Sequence, residues 1–284
     1  MPRVALPGPP SGIAPPGITL NAEVAGEGPP LVLLHGFTGS SAGWAPLVAD
    51  LGGAWTTIAV DIVGHGASDA PDELDHYRMA PAAADLVALL RALGHERASW
   101  LGYSMGARVA LHVAALHPDA VRALIVEGGN PGIRDAAERA ARIAADEALA
   151  DRIERDGVPA FIDFWEAVPL FATQRALPAA TWDAQRAARL RNSPRGLAQS
   201  LRGMGAGAHA PLWERLEALS MPALVLAGER DERYATIGRE LARALPDAML
   251  HLIPGAGHNT HLERPADFAA RVLAFLRGAG SRSA

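Results

Sequence analysis

The sequence predicts an α/β protein built on one mostly parallel sheet flanked by helices, with a helical segment inserted near its middle. Three observations carry this. Short apolar runs alternate with helix-periodic stretches, the alternation stops across residues 131–213, and it resumes afterwards. The 284 residues, 49% hydrophobic and 20% charged, suffice for a sizeable core and fit neither a disordered nor a collagen-like composition.

Residues 1–17 are rich in proline and read as a flexible extension. Their prolines break any continuous apolar stretch, so no signal peptide is expected, and the expectation is a cytoplasmic protein. Residues 18–25 alternate apolar and polar side chains as a half-exposed strand does, whereas Leu31-Val32-Leu33-Leu34 is the unbroken apolar run of a strand buried on both faces. The pattern then gives a helix at 41–51, a strand at 57–61, a helix at 81–93 with Pro81 in its first turn, a strand at 98–102, a helix at 105–116 and a strand at 121–126. Residues 131–213 are rich in Ala, Arg and Glu without a convincing strand, and read as a helical cap. Strand 223–227, helix 234–245, strand 249–253 and helix 265–276 complete the chain. The sheet domain is thus expected in two pieces, 18–130 and 214–284.

Composition removes whole classes of chemistry. There is no cysteine, which excludes disulfides, thiolate metal sites and a cysteine nucleophile. There is also no lysine, which excludes a Schiff base and a Walker-type phosphate site. A formal charge of −5 offers no footprint for nucleic acid, and no apolar run approaches the roughly 20 residues of a membrane span. What remains is serine, histidine and carboxylate chemistry, with no metal expected.

Gly102-Tyr103-Ser104-Met105-Gly106 is a G-x-S-x-G placed between a predicted strand and a predicted helix. That context suits a nucleophile: the glycines permit a tight turn that lifts the serine above the sheet at a helix N-terminus. A serine hydroxyl needs a histidine to take its proton and a carboxylate to orient that histidine. Asp231 in Gly-Glu-Arg-Asp follows strand 223–227, and His258 in Gly-Ala-Gly-His follows the next strand. Glu229 competes for the carboxylate role, but the strand end favours Asp231. His261 competes with His258, lacks the glycine flanks, and is read as a wall or surface residue; His35, His65, His251 and the other histidines are read as structural. His35-Gly36-Phe37 ends the first buried strand, where the Phe37 N–H, with that of Met105, forms the expected oxyanion hole.

With these pieces the chain resembles the α/β-hydrolase superfamily over roughly residues 18–277. Within it the chain is similar to the menaquinone-pathway 2-succinyl-6-hydroxy-2,4-cyclohexadiene-1-carboxylate synthases, the MenH family, through LLHGFTGS at 33–40, GYSMGAR at 102–108, VEGGNPG at 126–132, ERAAR at 138–142, FWEAVPLF at 164–171, LRNSPRGLAQSLRGMG at 190–205, GERD at 228–231 and GAGHNTHLE at 255–263. The resemblance implies a cofactor-independent elimination of pyruvate from a succinyl-bearing enolpyruvyl cyclohexene carboxylate. It implies that Ser104 and His258 abstract a ring proton, and that the Phe37 and Met105 amides hold enolate-type charge. It also implies that Arg108, Arg142 and Arg191 bind the carboxylates of a small polycarboxylate substrate, with Tyr103 and Trp165 in the pocket. Arg108 fits independently: it lies about one helical turn beyond Ser104, and an arginine fork suits a carboxylate. Ala107, where a second glycine is common, and His209, where glutamine is expected, depart from the family pattern. A serine esterase or carbon–carbon-bond hydrolase shares the triad, and a binding-only scaffold shares the fold; enzymes of this fold with an aspartate nucleophile are excluded by Ser104. Oligomeric state is not legible.

Overall fold

A computed structural model describes residues 3–6 and 17–281. Eight strands form one sheet: β1 (Arg3–Ala5), β2 (Thr19–Ala25), β3 (Pro30–Leu34), β4 (Thr56–Val60), β5 (Ala98–Tyr103), β6 (Val121–Glu127), β7 (Ala223–Gly228) and β8 (Ala248–Ile253). Their spatial order is β1-β2-β4-β3-β5-β6-β7-β8. β2 pairs antiparallel with both β1 and β4, and every pairing from β4 to β8 is parallel. The continuous apolar runs become the interior strands: every residue of β3, β5 and β7 is buried, because parallel strands are covered on both faces.

The expected extension needs one correction. Residues 3–5 form β1, with Val4 opposite Leu20 in an antiparallel ladder and the Arg3 guanidinium donating to Asp69 at 3.1 Å. A three-residue strand is too short to show periodicity, and its partner lies beyond a proline-rich stretch. Residues 1–2 and 7–16 of that expectation lie outside the described residues.

The helices are α1 (Ala45–Asp50), α2 (Met79–Ala92), α3 (Met105–Leu116), α4 (Ala136–Ala167), α5 (Ala179–Arg189), α6 (Pro194–Met204), α7 (Glu232–Ala244), α8 (Thr260–Glu263) and α9 (Pro265–Ser281). Leu86, Leu89, Val109 and Leu241, from α2, α3 and α7, cover one sheet face, and Leu47, Phe268 and Val272, from α1 and α9, cover the other. The single helix expected at 41–51 is split into a 3-10 turn at Ser41–Trp44 and α1, with Pro46 in the first turn of α1. Between β6 and β7 the described chain is helix, turn and loop. Its α4 and α6 share a separate core of Ile153, Phe161, Ile162, Leu197 and Leu201, against which Phe37 and Trp165 also pack. α4 breaks at Gly157 (φ 78°), two residues before Pro159, whose ring cannot continue a helix above it.

The connection from β3 leads to β4 on one side, and the chain then crosses to β5 on the other. The strand order therefore reverses between β3 and β5, and the crevice outside the carboxyl ends of two such strands is where open α/β sheets bind ligands. Residues 35–38 leave β3 and residue 104 leaves β5 at that crevice.

Candidate active site

Ser104 sits between β5 and α3 with φ 51° and ψ −106°, a conformation that costs a non-glycine residue on the order of 1–3 kcal/mol. The turn is held by the Ser104 N–H, which donates to the Glu127 carbonyl at 2.8 Å. Gly106 has no alternative: a Cβ there would run into the Leu34 carbonyl at the end of β3. Asp231 caps α7 by accepting from the Tyr234 N–H at 3.2 Å, and its other oxygen faces His258 Nδ1 at 2.7 Å. A carboxylate only accepts, so Nδ1 carries the proton and Nε2 is free to accept from the Ser104 hydroxyl at 3.0 Å. The rings of Tyr103, Tyr234 and Phe171 lie 5.4, 4.4 and 6.2 Å from the His258 imidazole, which is 2% exposed.

The rivals fall elsewhere. Glu229 is exposed and accepts from the Gly255 N–H at 3.0 Å. His261 pairs with Glu127.

The loop after β3 lies against Ser104: a Cβ on Gly36 would meet the Tyr103 ring at 2.7 Å and Ser104 Cβ at 3.5 Å. Met105 is the first residue of α3, where backbone N–H groups have no partner within the helix. Phe37 N–H donates to no protein acceptor among the described residues. These are the two amides that sequence alone assigns to an oxyanion hole.

The arginines divide. Arg108 is buried on α3, donates from Nη2 to the Met204 carbonyl at 2.9 Å, and leaves its Nε without a partner among the described residues. Burial drops its pKa to about 10. Arg142 is half-buried and donates from Nε to both oxygens of Asp146, at 2.8 and 2.9 Å. Burial raises the Asp146 pKa in spite of Arg142, and Arg108 also acts on it. Arg191 is exposed at the end of α5, with no ion pair among the described residues. The buried guanidinium of that run is Arg189, paired with Glu166 at 3.2 Å and 5.5 Å from the ring of Phe171. Trp165 packs edge-on to Phe37 at 5.4 Å and to Phe171 at 5.5 Å, so it joins the inserted helices to the loop after β3.

Sequence reasoning missed Tyr234, Phe171, Arg189 and Asn192. The last is buried between α5 and α6, donating to the Thr38 carbonyl at 2.8 Å and accepting from the Gly66 N–H at 3.0 Å. Phe171 and Asn192 had no signal beyond their place in a motif, and Tyr234 and Arg189 lie in none. Among the described residues no group of three or more His, Asp or Glu side chains is arranged to hold a metal ion, and no helix is long and apolar enough to cross a membrane.

A serine, histidine and aspartate in line above a parallel sheet define an enzyme of the α/β-hydrolase class, and the alpha/beta hydrolase fold family matches residues 29–265. A Bacillus subtilis protein provisionally named 2-succinyl-6-hydroxy-2,4-cyclohexadiene-1-carboxylate synthase is 40% identical over 89% of this chain and 93% of its own. The synthase of that name from Serratia proteamaculans is 35% identical over 89% and 94%. The structure of MenH from S. aureus superposes with a TM-score of 0.87 at 32% identity, covering 92% of this chain and 98% of that one. The chain belongs to the 2-succinyl-6-hydroxy-2,4-cyclohexadiene-1-carboxylate synthase family of α/β-hydrolase-fold enzymes. A thermophilic esterase from Thermogutta terrifontis, solved with malate bound, superposes with a TM-score of 0.86 at 27% identity over 98% of this chain and 99% of that one.

Proposed function

We propose that the protein is a carbon–oxygen lyase that eliminates pyruvate from 2-succinyl-5-enolpyruvyl-6-hydroxy-3-cyclohexene-1-carboxylate to give 2-succinyl-6-hydroxy-2,4-cyclohexadiene-1-carboxylate. Ser104, deprotonated by His258, removes a ring proton; the ring gains a double bond as the carbon–oxygen bond to the enolpyruvyl group breaks. The departing enolate is protonated by His258 and leaves as pyruvate, so no water is consumed. Asp231 holds the imidazole tautomer, and the Phe37 and Met105 amides stabilise the negative charge that develops on the substrate.

The observation that carries a polycarboxylate substrate is Arg108. A buried guanidinium with an unpartnered Nε, one helical turn from the nucleophile, suits a carboxylate and is costly beside a neutral ester. Arg142 and Arg191 are the further carboxylate contacts in this reading, and Tyr103 and Trp165 the apolar walls.

The test is steady-state pyruvate release from that substrate, run beside a short-chain aryl ester. Fast elimination and slow ester turnover, both lost in Ser104→Ala, support the lyase. Brisk ester turnover without elimination replaces it with a serine esterase, the reading favoured by the likeness to the Thermogutta terrifontis enzyme.

A further inference from the structure

The chain begins its catalytic loop with a buried histidine that the mechanism above does not use. His35 directly follows β3, is 4% exposed, and stands two residues before Phe37. Its Nε2 accepts from the Ile62 N–H at 3.0 Å. A backbone N–H can only donate, so Nε2 is unprotonated and the neutral ring carries its proton on Nδ1. That nitrogen faces the Gly36 carbonyl oxygen at 2.8 Å, which can only accept. The two partners thus fix both the tautomer and the ring orientation. Burial pushes the His35 pKa down, against the attraction of Asp61.

The Gly36 carbonyl receives a second donor, the Gly39 N–H at 2.9 Å, which closes a turn over residues 36–39. Within that turn Thr38 has φ 68°, the left-handed region a β-branched residue avoids, so the loop is held in place against its local preference. A peptide unit is planar and trans, so the carbonyl of Gly36 and the N–H of Phe37 point in opposite directions in one plane. Two donors that fix the carbonyl therefore turn the Phe37 N–H away from them. Gly36 itself lies against Tyr103 and Ser104.

We propose that His35 is a positioning residue of the oxyanion hole: its Nδ1–H clamps the Gly36–Phe37 peptide and so aims the Phe37 amide at the charge that develops above Ser104. This rests on the assignment of that amide to the oxyanion hole under Proposed function. A displaced donor in such a hole costs the chemical step, while substrate binding through the arginines is untouched.

Two substitutions separate the two ring nitrogens. In His35→Asn the side-chain amide falls near the position of Nδ1 and can still donate to Gly36. In His35→Gln the amide reaches the position of Nε2 and can serve Ile62 but not Gly36. The expected result is an unchanged KM in both, kcat within about fivefold of the parent for His35→Asn, and a fall of about a hundredfold for His35→Gln. Pyruvate elimination and aryl ester hydrolysis are both read, because the hole serves either reaction. Equal kcat in the two variants, or a loss confined to KM, overturns the proposal. Ser104→Ala is run in parallel: if it stays active, the triad and oxyanion assignments themselves fail, independently of His35. Should either histidine variant not fold, nitrogen-15 NMR of the parent protein decides the clamp directly. An Nδ1–H tautomer at neutral pH is required, and an Nε2–H tautomer at His35 overturns it.

Discussion

Glu127 and His261 form a second carboxylate–histidine pair, Oε2 to Nδ1 at 2.6 Å, on the strand end next to the one that leads to Asp231. Glu127 is fully buried and uses every acceptor it has. Its Oε1 takes the Thr260 hydroxyl at 2.7 Å and the His261 N–H at 3.0 Å, and its backbone carbonyl takes the N–H of Ser104. One residue therefore ties the backbone of the nucleophile to the turn that follows His258. His261, read from sequence as a wall or surface residue, lies between Trp44 and Tyr103 at ring distances of 4.4 and 5.0 Å.

Glu127→Ala strands three donors in a largely buried site, and the expected loss of stability is about 3 kcal/mol. Glu127→Gln retains an oxygen for Thr260 and the His261 amide and should lose less than half as much. Urea unfolding of the two variants checks the order; equal losses would show that the ionic contact to His261, rather than the count of satisfied donors, sets the stability.

Arg108 sits where a cation is disfavoured. With burial lowering its pKa to about 10, the charged side chain costs the folded state stability throughout the neutral range, where folded and unfolded chains both carry the proton. Arg108→Met is expected to leave the urea midpoint equal or higher while weakening pyruvate elimination far more than aryl ester hydrolysis. A destabilised variant with equal losses on both substrates would make Arg108 a structural residue held by the Met204 carbonyl.

The interior strands were legible because a parallel interior strand must be apolar on both faces, which leaves a short unbroken apolar run bounded by turn residues. Ser104 and Asp231 were legible for a related reason: both follow such strands, so locating the strands locates the loops, whereas His258 follows the edge strand β8, of which only Ile253 is buried, and was singled out by the small residues of its loop. The cap was not. In the arginine-rich run of α5 the sequence motif favours Arg191, yet helix phase turns Arg189 inward to Glu166, gives Arg186 to Glu166 and Asp163, and leaves Arg191 exposed. Which guanidinium faces in depends on where α5 rests against α4, and no local pattern encodes that. β1 was missed because three residues cannot display a period.

His209, which stands where the family pattern has glutamine, packs edge-on to His112 at 4.7 Å beside Arg108. Burial, then the neighbouring His112 and Arg108, lower its pKa to about 3; burial lowers that of His112 to about 4. Both fall below the ordinary 6.5, so between pH 6.5 and about 4 the unfolded chain binds protons that the folded chain does not. Stability is then fully present above pH 6.5 and declines as the pH falls toward the folded pKa values. His209→Gln removes one such group, and the slope of unfolding free energy against pH should flatten by up to about 1.4 kcal/mol per pH unit in the acid range. Unfolding in urea at pH 4.5, 5.5 and 7 measures it; an unchanged slope would assign the acid sensitivity to other groups, His65 first, whose pKa burial also lowers to about 3.

Asn192 adds hydrogen bonds to the apolar contact that Phe37 makes between the loop after β3 and the inserted helices. Its amide donates to the carbonyls of Thr38 and Arg189, at 2.8 and 3.0 Å, and its oxygen accepts from Gly66, so cap, oxyanion loop and the turn after β4 meet on one side chain. Asn192→Asp keeps the acceptor for Gly66 but sets a carboxylate against two carbonyls, and Asn192→Leu removes every bond while filling the space. If the cap helps hold the Thr38 backbone in its left-handed conformation, kcat should fall in both variants, further in the aspartate, by about tenfold or more. Arg191→Ala, one residue earlier and exposed, should leave ester hydrolysis unchanged and raise KM for the polycarboxylate less than Arg108→Met does. Kinetics of the three variants on both substrates discriminate the roles. A wild-type kcat in Asn192→Asp would mean that the oxyanion loop is held by His35 and Gly39 alone.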